Sequence, residues 1–181
     1  MAKSRCTGAL LAAALSILKY SSLRHLRKKG RCMTQRKTTS LTVVYHNPSY
    51  GYMIVPYAVE QNMRCRIAID PTIALLPGTS DEELGAAIKN GIEIAANASE
   101  ADIESSDLNE FWKKTKYKGF CSFSNHFQSV NVTQYENKLR IEKWIATPRK
   151  GYVKDDSQRA IEISAMLTNA ELGTIIRKFV S

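Results

Sequence analysis

The amino-acid sequence predicts an α+β fold, with a mostly antiparallel sheet and two or three helices packed on it. Three observations carry this. Segments 41–46 and 51–58 flank the turn Asn47-Pro48-Ser49, and segments 130–135 and 139–145 flank Glu136-Asn137-Lys138; both read as hairpins. Two later stretches open on a capping box and continue with apolar residues at helical spacing. Those two stretches also echo each other: Ser80-Asp-Glu-Glu-Leu-Gly-Ala-Ala-Ile against Thr168-Asn-Ala-Glu-Leu-Gly-Thr-Ile-Ile.

Residues 41–46 (Leu-Thr-Val-Val-Tyr-His) form the first strand and 51–58 the second. Pro56 has no N–H to donate, which places the second strand at an edge or ends it. Residues 64–69 form a third strand, stopped by Asp70-Pro71. Cys65, Ile67 and Ile69 would share one of its faces, so Cys65 reads as a buried free thiol. Ser80 caps the first long helix, Glu83 closes the box, and Asp81 and Glu82 suit the positive end of the dipole. Leu84, Ile88, Gly91, Ile92 and Ala95 mark its apolar face, and it fades near Ala96–Asn97.

Residues 97–110 are small and acidic, and a solvated loop is their default reading. Phe111 and Trp112 anchor a short helix around 108–115, and 119–123 reads as extended. In the second hairpin Leu139, Ile141 and Ile145 share one face. Residues 147–158 read as a polar loop and 160–164 as a last strand, with Ile161 and Ile163 inward. The final helix follows Thr168 and presents Leu172, Ile175, Ile176 and Phe179. A glycine in the second helical turn costs about 1 kcal/mol against alanine. Gly85 and Gly173 both occur there, and the recurrence points to close approach of helix to sheet.

The charge is unevenly spread. The chain carries 26 Lys+Arg and 17 Asp+Glu, a formal net charge of +9 over 181 residues. Ten of the basic residues, Lys3 to Lys37, lie in residues 1–40, which contain no acidic residue. The other residues are therefore nearly neutral, and the basic character belongs to the leader. The leader also holds an apolar run from Gly8 to Leu18, which is too short to span a bilayer and has no small-residue cleavage site after it. It is read as a segment outside the working domain, which would be 41–181, with Met33 as an alternative start. A signal or membrane-surface anchor and a nucleic-acid-binding arm are the competing readings of the same segment.

The chemistry of a catalytic or metal site is hard to find. Cysteines 6, 32, 65 and 121 have no zinc or dithiol spacing, and scattered thiols suit the cytoplasm. There is no glycine-rich phosphate loop, no H-E-x-x-H and no G-x-S-x-G. No cofactor, metal or catalytic set is assigned. His46 and His126 would be the acid and base of a hydrolase or nuclease, against the plainer reading of two surface histidines. Tyr45, Tyr50, Tyr52 and Tyr57 cluster without a basic stripe, which favours core or protein contact over base stacking. The carboxylates Glu100, Asp102, Glu104, Asp107 and Glu110 have no basic residue among them and form a candidate docking patch for a basic partner.

The order of strand, Ser80-capped Leu-Gly helix, Trp112 region, Lys118-Gly-Phe-Cys-Ser-Phe and Ala160-Ile-Glu-Ile-Ser before Asn169-Ala-Glu-Leu-Gly resembles the immunity proteins of bacterial contact-dependent growth inhibition systems. The resemblance covers about residues 41–181 and rests on structural motifs. It implies a cytoplasmic, non-enzymatic protein that binds the C-terminal toxin domain of a surface-delivered effector one-to-one and neutralises it. Toxins of this kind are often nucleases, whose basic surface the 100–110 carboxylates would meet. The resemblance implies neither direct nucleic-acid contact nor stable membrane insertion. A nucleic-acid-binding protein acting through the basic leader is the alternative.

Overall fold

The structure is a computed structural model that describes residues 40–60, 65–106, 111–147 and 151–180. The expected basic leader thus lies outside the described residues, apart from Ser40. Strands β1 (Ser40–Asn47) and β2 (Gly51–Val59) form the first hairpin, followed by the short strands β3 (Arg66–Ala68) and β4 (Ile73–Leu75). Helices α1 (Asp81–Asn97) and α2 (Glu100–Ser105), a 3-10 turn (Phe111–Lys114) and helix α3 (Phe120–Ser124) come next. Strands β5 (Gln128–Tyr135) and β6 (Lys138–Thr147) make the second hairpin, then β7 (Gly151–Lys154), β8 (Ile161–Ser164) and helix α4 (Asn169–Phe179) complete the chain. The architecture is α+β, with one antiparallel sheet in the order β3-β2-β1-β5-β6-β7, β4 beside β3 along β2, and β8 beside β7 along β6.

The sheet is built twice over. Val44 pairs with Ile54 as Val132 pairs with Ile141, and Ile54 pairs with Ile73 as Ile141 pairs with Ile161. Each half is therefore a hairpin whose second strand carries two short strands end to end, followed by a capped helix. The halves meet where β1 pairs antiparallel with β5, and Val43 faces its own counterpart Asn131 there. An approximate two-fold axis runs through that pair. The offset is 88 residues, from 43 to 131 in the strands and from 85 to 173 in the helices.

The helices follow the same axis. Both capping boxes form: Ser80 accepts from the Glu83 N–H at 3.2 Å, and Thr168 accepts from the Glu171 N–H at 3.2 Å. A Cβ on Gly85 would land on the carbonyl oxygen of Asn169, and one on Gly173 on that of Asp81. The repeated glycines thus let helix approach helix, start against start, rather than helix approach sheet as the sequence suggests. Gly91 is the residue that faces the sheet, where a Cβ would lie 2.9 Å from Ile54 and 3.0 Å from Thr42. Two helix N-termini side by side bring two positive dipole ends together, and Asp81, Glu82, Glu83 and Glu171 offset them.

The core under the helices pairs residues across the axis. Leu84 and Leu172, Ile88 and Ile176, Ile54 and Ile141 are all fully buried in one cluster. Each such side chain contributes roughly 1.5–3 kcal/mol of burial. The opposite face differs between halves. Leu41, Val43, Tyr45, Met53 and Val55 pack there against Phe111, Phe123 and Phe127, and the segment from the 3-10 turn to α3 covers them. Tyr45 and Tyr57 share a hydrogen bond of 3.1 Å within this aromatic layer, so the tyrosine cluster is largely core.

Four sequence expectations change. Residues 119–123 are largely helical, not extended: Gly119 turns the chain at φ 141°, and Phe120, Phe123 and Phe127 then face the sheet at helical spacing. The acidic loop holds helix α2, because Ser99 and Asp102 form a capping box of their own. Pro56 neither ends β2 nor sits on an edge strand. It falls in the gap between β4 and β3, where its carbonyl accepts from the Ile69 N–H at 2.9 Å and its missing N–H leaves no strand unpaired. Cys65 is exposed, since β3 begins only at Arg66.

Candidate functional site

The two-fold symmetry breaks at two corresponding corners of the helix-covered face. In the first half, Ser40, Pro56 and Ala58 lie buried. Helix α1 runs 17 residues, and its late residue Ile94 joins Ala98 and Ile103 of α2 in closing over Ala58 and Ile69. Helix α4 runs only 11 residues. The equivalent corner of the second half therefore stays open, and His46, Gln128, Lys143 and Ile145 line a cleft of about 250 Å³ there. Strand alternation sets these four on the same face as the buried Val44, Val130 and Ile141. Ile145 is 43% exposed.

Polar chemistry in this corner is incomplete. His46 stacks on Tyr52 at 4.5 Å between ring centroids and pairs with Gln128 across β1 and β5. Its Nδ1 and the Gln128 Oε1 are buried without a hydrogen-bond partner among the described residues. Burial and the nearby Arg177 guanidinium lower the His46 pKa, against a hydrogen bond with the main chain of Val180 that raises it. Arg177 itself is locked. It donates to Asp81 at 2.6 Å, to the Tyr52 hydroxyl at 3.1 Å and to the Thr79 carbonyl at 2.8 Å. Asp81 also accepts from Thr174 at 2.6 Å, and the Thr174 and Arg177 bonds hold its carboxyl below the usual range. This network fixes the end of α4 against α1 and β2, and so fixes the wall of the cleft.

The other face of the second half carries a charged cleft of about 750 Å³, lined by Arg140, Lys154, Arg159 and Glu162 among others. Glu142 accepts from Arg140 at 2.9 Å and pairs with Lys154 at 3.2 Å, while Arg140 lies 3.7 Å from Glu162. Partial burial alone would raise the Glu142 pKa, but the bonds from Arg140 and Lys154 hold it low. These charges largely satisfy one another.

The sequence-predicted patch is partly in view. Glu100 and Glu104 stand exposed one turn apart on α2. Asp102 caps the same helix through Ser99, whose side-chain and main-chain bonds lower its pKa. Asp107 and Glu110 lie outside the described residues. His46 and His126 do line one cleft, but the His126 Nδ1 is engaged with the Ser122 carbonyl at 2.7 Å and its ring stacks on Tyr117. Lys143 and Gln128 escaped the sequence reading. A signal existed: Lys143 interrupts the apolar series Leu139, Ile141, Ile145 on a face meant for the core. Among the described residues no group of three or more His, Cys, Asp or Glu could hold a metal, and no helix is long and apolar enough to cross a membrane.

No family model and no curated protein matches the chain. Solved structures match it in fold. A protein of unknown function from Neisseria meningitidis is 14% identical, with a TM-score of 0.59 over 78% of this chain and 93% of that one. A chain of a CdiA-CT/CdiI toxin and immunity complex from Yersinia pseudotuberculosis is 13% identical, with a TM-score of 0.56 over 78% of this chain and 94% of that one. At these identities the likeness is one of fold.

Proposed function

We propose that the chain is an immunity protein. It binds the C-terminal toxin domain of a contact-dependent growth inhibition effector one-to-one in the cytoplasm, neutralises it and protects the producing cell. It does so by binding, without catalysis or cofactor. The observation that carries this reading is the likeness of fold to a chain of the Yersinia toxin and immunity complex, over nearly all of that chain. The toxin is a nuclease in this reading, and its basic surface meets Glu100, Asp102, Glu104, Asp107 and Glu110. The exposure of Glu100 and Glu104 on a capped helix suits that role.

The test is co-expression of the tagged full chain with the effector C-terminal domain encoded immediately upstream. A stable complex together with survival of the toxin is the expected result. Failure of both would exclude that pair. The double reversal Glu100→Lys, Glu104→Lys should slow association and leave folding intact, because both side chains are exposed.

A further inference from the structure

The open corner beside the end of α4 has the makings of a ligand site that the proposed toxin contact does not use. Its lining contains no carboxylate, but it does contain Lys143, His46 and His126. Lys143 is half-buried, and no hydrogen bond or ion pair of its ammonium is among those of the described residues. The neighbouring charge is also positive: Arg177 is close enough to His46 to disfavour its protonation. Two buried polar atoms, His46 Nδ1 and Gln128 Oε1, lack partners and come from residues directly opposite each other. Native proteins seldom leave such atoms unsatisfied, so groups of this kind mark a place for a ligand or a bound water. A basic, carboxylate-free pocket with unspent polar groups suits an oxyanion. The volume of about 250 Å³ exceeds what a bare oxyanion fills and falls short of a drug-sized pocket. The flat stack of His126 on Tyr117 offers a π-surface at the same cleft.

We infer that this corner binds the phosphoryl group of a small phosphate ester, a nucleoside monophosphate in size and chemistry. Lys143 supplies the charge, and His46 and Gln128 complete their hydrogen bonds on the ligand. Residues beyond the corner play no part. Lys154 is the natural control, because it sits on the other cleft and is paired with Glu142.

The experiment is an NMR titration of the ¹⁵N-labelled full chain with uridine monophosphate, with inorganic phosphate and with uridine, at low salt. The expected result is saturable binding of the monophosphate, with amide shifts centred on residues 46, 128 and 143. Uridine should not bind. Lys143→Met should weaken binding about tenfold or more, as loss of a charge-assisted hydrogen bond does, and Lys154→Met should leave it unchanged. His46→Gln, which keeps a polar side chain, gives a second reading should Lys143→Met alter the fold. Inorganic phosphate binding as tightly as the ester would assign the site to the free anion and discard the ester. Equal weakening by Lys143→Met and Lys154→Met would reduce the effect to surface charge and overturn the inference. So would a single-stranded RNA without terminal phosphate that binds more tightly as it lengthens and ignores Lys143→Met. None of these outcomes depends on whether the chain neutralises a toxin.

Discussion

Ala58 and Ile145 occupy corresponding places in the two halves of the sheet, and they live in different surroundings. Ala58 is 4% exposed beneath the long helix α1 and the short α2. Ile145 is 43% exposed, beyond the end of the shorter α4. The opposite face reverses the theme in chemistry as well as cover. Tyr45 and Val55 are apolar and roofed by Phe111, Phe123 and Phe127, whereas their counterparts Thr133 and Glu142 are polar. One half thus spends both faces of its sheet on stability. The other keeps one corner and one face unroofed and lines them with charge. Where a fold is repeated, a place that is core in one copy and open in the other marks where the second copy is free to do something else.

The sharpest way to break this comparison is at the axis itself. Gly85→Ala and Gly173→Ala each push a methyl into the main chain of the facing helix, at Asn169 and Asp81. Backbone cannot yield there as a side chain would. Each should cost about 3 kcal/mol or more in urea unfolding, at the upper end of overpacking effects. The two losses should also be similar. A neutral Gly173→Ala would mean that the helix starts do not meet.

The corners give the next largest contrast. Ala58→Lys must bury a long charged chain under α1 and α2, at a cost of about 2–3 kcal/mol. Ile145→Lys, at the matching position, should stay within about 0.5 kcal/mol because its site is open. Equal losses would show that the second corner is covered after all.

Removing the caps is milder. Ser80→Ala and Thr168→Ala should each cost about 1 kcal/mol. Both boxes have the same geometry, with the hydroxyls donating to Glu83 and Glu171 at 2.8 Å. A large difference between the two would come from what the helix covers and not from the cap.

Much of this was legible beforehand, for physical reasons. The strands of both hairpins announce themselves by alternation and turn residues, and both long helices by Ser80/Glu83 and Thr168/Glu171. Strands β4 and β7 were invisible because three or four residues carry no period of their own; β2 and β6 decide their pairing. The helix echo was legible because Leu-Gly is needed twice at the axis. The strand echo was not, since Leu41-Thr-Val-Val-Tyr and Ser129-Val-Asn-Val-Thr share a register and a face but few residues. The open corner was out of reach for a further reason. It depends on where α4 stops relative to β6, a tertiary fact, and Lys143 is its only trace in the sequence.

The smallest effect is also the most specific to one corner. Gln134 stands where the first half needs a counterpart for His46, so only the second corner carries a titrating ring. Groups facing that ring are Tyr52 from β2, Gln128 from β5, Lys143 from β6, and Arg177 and the Val180 main chain from the end of α4. Burial and Arg177 lower its pKa in the fold, so between the folded value and the unfolded value of about 6.5 the unfolded chain binds the extra proton. Stability should therefore fall as pH drops below about 6.5. The carboxylates act in a separate window. Asp81, Glu83, Asp102, Asp155 and Glu171 are held low by hydrogen bonds, and their contribution is lost only as pH falls below about 4. Urea unfolding of the wild type and of His46→Gln at a series of pH values separates the two. The variant should lose the decline between pH 6.5 and 5 and keep the steeper one below it. An unchanged upper decline would mean that His46 meets solvent freely in the fold, and that the second corner is more open than its cleft suggests.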